Sequence, residues 1–162
     1  MPAQKGFSYI GVMVTLVIAA IGMQGAAVMW HQQTQRDNEA SLLETGEAYR
    51  LAIGRYYEST PQPVKQYPVR LEELLEDKRF PVPKRHLRKL YPDPFYVKQG
   101  MTLVVKEGRI VGVHSQSLLE PIRHSGYQES QTGFLQAKHY RDWLFVYEPN
   151  TLADLEQAWV NR

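Results

Sequence analysis

Residues 7–30 read FSYIGVMVTLVIAAIGMQGAAVMW, twenty-four positions without one Asp, Glu, Lys or Arg, and the architecture turns on what this stretch is. As a helix rising about 1.5 Å per residue it would measure roughly 36 Å, enough to cross a hydrocarbon core of about 30 Å. A discarded secretory signal has a shorter apolar region, about 7–15 residues, and carries its small-residue cleavage site on the far side. Here the small residue, Gly6, stands in front of the apolar run and directly after Lys5. The sequence therefore predicts a retained, membrane-spanning helix with any processing signal placed before it. The basic leader would face the cytoplasm and the remainder of the chain the other side.

The rest of the composition bounds the problem. At 162 residues the chain holds one modest domain and an appendage. Lys and Arg total 19 against 17 Asp and Glu, a balance that gives no reason to expect nucleic acid as a partner. The absence of cysteine excludes a disulfide scaffold and thiolate metal sites.

Downstream, residues 34–59 read TQRDNEASLLETGEAYRLAIGRYYES, with Leu42, Gly46, Tyr49, Ile53 and Tyr56 or Tyr57 recurring at three- and four-residue steps. That is an amphipathic helical period. No proline interrupts Phe7 to Ser59, so the apolar and amphipathic parts are expected as one helix; the alternative is two helices meeting near Gln32 to Gln35. Pro61, Pro63 and Pro68 then impose an extended crossing. Leu71 to Glu76 forms a short helical pattern, and Tyr91-Pro92-Asp93-Pro94 a rigid turn in which Asp93 bonds nearby backbone amides. Met101 to Lys106 and Arg109 to Ser115 read as strands joined at Glu107-Gly108, with Val104, Ile110 and Val113 available to cover a helix. Trp143 to Tyr147 reads as a third strand. The polar stretch from Pro121 to Tyr140 reads as a mobile loop, and TLADLEQAWV from Thr151 as a final helix.

The arrangement Lys5-Gly6, then Phe7, Ser8, Tyr9, Ile10 and the run Val12 to Ile21, resembles the N-terminus of the type IV pilin and type II secretion pseudopilin superfamily. The resemblance implies an α+β fold, pilin-like, in which a long N-terminal helix, half transmembrane and half amphipathic, packs on a small antiparallel sheet. It divides the chain into a leader (1–6), a transmembrane helix (7–30), its amphipathic continuation (31–59), a connector (60–100), and a sheet with a C-terminal helix (101–162). It implies cleavage between Gly6 and Phe7 by a prepilin peptidase and N-methylation of Phe7. The implied placement is single-pass in the inner membrane with a periplasmic C-terminal domain. The implied role is structural, a minor pseudopilin assembled by helix packing into a periplasmic pseudopilus, with other subunits, an assembly ATPase, an inner-membrane platform protein and a secretin as partners. A minor type IV pilin, or a non-assembling anchored accessory protein, are the alternatives. One position departs from the family: the fifth residue after the cut, usually Glu, is Gly11. Within the family that absence belongs to subunits at the filament tip; otherwise Gly11 is a helix-packing residue, like Gly22 and Gly25.

No catalytic chemistry is legible. His31, His86, His114, His124 and His139 lack close ligand spacing, Ser115 and Ser117 stand in no nucleophile elbow, and no glycine-rich phosphate loop follows a strand. No cofactor and no metal site is expected; calcium, which some pseudopilins hold, would need clustered oxygens, and Glu120, Glu129 and Asp142 are dispersed. The basic run Lys84-Arg85-His86-Leu87-Arg88-Lys89 is read as a surface whose charges pair with Glu72, Glu73, Glu76 and Asp77 while Leu87 and Leu90 face the core, in preference to a nucleic-acid patch.

Overall fold

A computed structural model describes residues 7–61, 63–127 and 129–149; the side chains of 7–8, 21–31, 129, 130 and 132 lie outside that description. Two compact units divide the chain, Met1–Asp37 and Asn38–Arg162. Helix α1 is assigned over Phe7–Glu58. Its described side chains fall into two stretches of opposite character, exposed and apolar over 9–20, amphipathic over 32–58.

The membrane-spanning expectation does not survive. Among the described residues no helix is long and apolar enough to cross a membrane. From Gln32 onward the helix carries Arg36, Asp37, Glu39, Glu44, Glu47 and Arg50, which bar it from lipid. The pilin-like form of the helix, the transmembrane segment and the single-pass inner-membrane placement are therefore corrected. What holds is the mixed α+β class.

In the Asn38–Arg162 unit the amphipathic face is the one the period marks. Leu42, Tyr49, Ile53 and Tyr56 are buried, and they pack with Ile110, Val113, Trp143 and Phe145 in a single core. Each such apolar side chain removed from water contributes about 1.5–3 kcal/mol. Gly46 shares this face because a Cβ there would strike the Phe145 ring.

Two small sheets follow the helix, and one of them brings Ile110, Val113 and Phe145 into the core. Strands β1 (Pro92–Asp93) and β2 (Tyr96–Gly100) pair antiparallel. Strands β3 (Thr102–Lys106), β4 (Arg109–His114) and β5 (Phe145–Val146) form an antiparallel sheet in the order β3-β4-β5. The hairpin turns at Glu107 and Gly108, whose φ values of 53° and 74° suit a tight two-residue connection of strands with right-handed twist. A register shift falls between Val104 and Val105. The expected third strand is present but shorter, two residues instead of five, and the short helix at Leu71–Leu74 is a 3₁₀ turn.

The stretch expected to be a mobile loop is instead built into the core. It carries a 3₁₀ segment over Glu129–Gln136 and another over Tyr140–Asp142. Phe134 stacks on Trp143 with ring centroids 5.1 Å apart, and Tyr140 meets Trp143 edge-on at 5.0 Å. Buried Glu39 of α1 fastens the segment: its Oε2 accepts the Ile122 amide at 2.8 Å and the Tyr140 hydroxyl at 2.7 Å. The leader, including Gly6, and the expected C-terminal helix lie outside the described residues.

Candidate functional site

In the Met1–Asp37 unit the notable surface is apolar. Tyr9, Ile10, Val12, Met13, Val14, Leu16, Val17 and Ile18 are each between 48% and 69% exposed, around the helix and not along one stripe. Exposed apolar area of this extent marks a surface made to be covered. Gly11 lies within it; nothing approaches the place its Cβ would occupy, and its carbonyl accepts the Thr15 hydroxyl at 2.8 Å. Phe7 begins the helix.

The Asn38–Arg162 unit concentrates its polar groups where the end of α1 meets the 71–87 segment. Asp77 is buried and bound on every side: Arg79 Nε and Nη2 donate to its two oxygens at 2.8 and 2.7 Å, the Arg79 amide donates at 3.1 Å, and His86 Nε2 lies 3.1 Å away. Burial alone would raise the Asp77 pKa, but these donors overcome it and hold the carboxyl down at about 2. Arg79 also donates to the Thr60 hydroxyl and the Tyr56 carbonyl, and its guanidinium lies 3.5 Å over the Tyr56 ring. The Tyr56 hydroxyl in turn donates to Glu73 at 2.7 Å. Burial, then the neighbouring Glu73 carboxylate, drives the Tyr56 pKa up, so the phenol stays a donor. An open cavity of about 610 Å³ lies beside this network. Through these bonds the network clamps the end of α1 to the crossing segment.

Of the basic run, His86 and Leu87 are buried, and only the Asp77 partnership takes the expected form. Glu73 bonds Tyr56 instead, Glu76 lies 3.7 Å from Lys78, and Lys84 sits 3.8 Å over the Phe80 ring. Leu90 is partly exposed. Asp93 does cap its own turn, accepting the Phe95 amide at 2.9 Å, and also takes the Ser115 hydroxyl at 2.7 Å. Ser115 is thus a structural donor. Asp142 caps the Tyr140 turn through the His139 amide, and Glu120 is exposed. Among the described residues no three His, Cys, Asp or Glu side chains gather where a metal ion could be held.

Sequence reading missed Glu39 and Arg79, because the Ile122 and Tyr140 that Glu39 bonds and the Tyr56 and Thr60 that Arg79 bonds lie far from them in the chain. No family model, curated protein or solved structure matches the chain.

Proposed function

We propose that the protein is a structural subunit that assembles through the apolar part of α1 with the helices of other subunits, as a minor pseudopilin does in a type II secretion pseudopilus. The observation that carries this reading is the exposed apolar surface from Tyr9 to Ile18. Helix packing against like helices would cover it, at interaxial distances of about 8–10 Å. Gly11 sits in that surface with open space around it and permits close approach of a neighbouring helix. The Lys5-Gly6-Phe7 sequence supports processing by a prepilin peptidase, and the assembly ATPase, platform protein and secretin of such a system are the partners this reading implies.

The test has two arms. Co-produced with a prepilin peptidase, the protein is expected to begin at Phe7 by intact mass, and Gly6→Leu to block the cut; a chain still beginning at Met1 or Pro2 would sink the processing arm. Because the chain lacks cysteine, Ile10→Cys or Val17→Cys gives a unique cross-linking handle. Disulfide-linked adducts with other subunits are expected there, and their absence in an intact secretion system counts against assembly through α1.

A further inference from the structure

Lys106 and Arg109 flank the hairpin turn and face each other across β3 and β4. Like charges directly opposite on an antiparallel pair repel, whereas an opposite pair would stabilise the hairpin. Arg109 Nη1 donates to the Tyr67 carbonyl at 2.8 Å, and among the described residues no carboxylate pairs with either cation. Both line an open groove of about 410 Å³ bounded by the end of α1, the proline-rich crossing and the hairpin turn. Val64, Tyr67 and Val111 supply its apolar lining. Lys65 adds a third cation, 3.4 Å from Glu58, and Glu107 is the only carboxylate among the described lining residues.

We infer that this groove binds an extended acidic polypeptide segment of a partner protein. Its carboxylates meet the Lys106–Arg109 pair and relieve their repulsion, while intervening apolar side chains lie on Val64, Tyr67 and Val111. The charge of the groove is complementary to such a segment, and its mixed lining suits alternating acidic and apolar residues. A nucleic-acid strand fits less well. Successive bases need free aromatic faces, but Tyr57 and Tyr67 lie against each other, tilted by 37° with centroids 4.5 Å apart, and Tyr147 meets Tyr57 at 6.1 Å. The inference is independent of α1 assembly, since every residue it uses lies in the Asn38–Arg162 unit.

The experiment is fluorescence anisotropy on the full chain, kept dispersed in a non-ionic detergent. The probes are a fluorescein-labelled octapeptide alternating Glu and Val, its Lys-Val counterpart, and an oligothymidylate. The Glu-Val peptide is expected to bind saturably, more weakly at about 500 mM than at about 50 mM salt as screening grows. Lys106→Glu is expected to weaken it about tenfold, with Lys65→Glu acting in the same direction, while Lys98→Glu on β2 leaves it unchanged. Lys106 is exposed and Glu there would oppose Arg109, so its variant should melt no lower than the parent; should it melt lower, Lys106→Gln carries the same reading. No saturable binding of the acidic peptide, binding indifferent to Lys106, equal loss in Lys98→Glu, or equal or tighter binding of the Lys-Val peptide or the oligothymidylate each overturns the proposal.

Discussion

Asp77 keeps its charge where water hardly reaches it, and that makes it the residue through which acid should act on this fold. Its carboxyl titrates at about 2, below the 3.8 of the free group, so folding favours the ionised form. The resulting stabilisation, roughly 2 kcal/mol, is complete above about pH 4 and disappears as the pH falls towards 2. In Asp77→Asn the half-buried Arg79 loses its counter-charge and the buried His86 its carboxylate partner, and the cost near neutral pH should be about 3 kcal/mol. The gap between parent and variant should narrow below pH 4. Urea midpoints at several pH values measure this, and a gap that stays constant into acid would refute it. Trp143 makes the opposite case. Its Nε1 is buried with no hydrogen-bond partner among the described residues, so Trp143→Phe removes a stranded donor along with ring area. It should destabilise by only about 1 kcal/mol, against the 3–5 kcal/mol usual for Trp→Ala; a Phe variant as unstable as Trp143→Ala would show that the indole nitrogen contributes.

Within α1 the contacts of the folded unit are carried by one face. Truncating Ile53, fully buried among core side chains, should cost about 2–5 kcal/mol as Ile53→Ala. Gly46→Ala should cost about 1–3 kcal/mol although it adds only a methyl group, because the Phe145 ring occupies the place the methyl needs. Chemical denaturation distinguishes both from Leu51→Ala on the exposed side, which should stay within about 0.5 kcal/mol of the parent. These positions were legible in the sequence because Leu42, Gly46, Tyr49, Ile53 and Tyr56 repeat with the helix, and the hairpin was legible because Glu107-Gly108 separates two β-rich runs. Other elements gave no such signal. All five residues of β2 are exposed, so no alternation marks the strand. Phe134 and Tyr140 follow neither period, since short 3₁₀ turns bring them to the core one at a time. The cationic groove joins Tyr67 to Lys106 and Arg109 from separate parts of the chain, and only folding shows them as neighbours.

For the molecule as a whole, the described part of the apolar run that dominates the sequence supplies no side chain to the core. Every side chain of the buried cluster comes from Leu42 onward, and the compact unit begins at Asn38. Tyr9 to Ile18, exposed as they are, offer surface for the proposed association and should add little to the stability of the Asn38–Arg162 unit. Composition and period could not separate these roles, because an apolar helix reads alike whether it meets lipid, a partner helix or its own core; burial separates the last from the other two. Placing lysines on that surface, as Val14→Lys with Val17→Lys, should therefore leave the unfolding of the Asn38–Arg162 unit within about 0.5 kcal/mol of the parent, as surface changes do. The same pair should abolish α1-mediated cross-linking to other subunits, because a charge buried in a helix–helix contact has no partner there. Near-UV circular dichroism, in which the packed Trp143 reports on the core, measures the first effect, and adduct yield from Ile10→Cys measures the second. Loss of the core signal in the lysine variant would mean that the N-terminal helix stabilises the folded unit, and retained cross-linking would mean that its apolar surface is not where subunits meet.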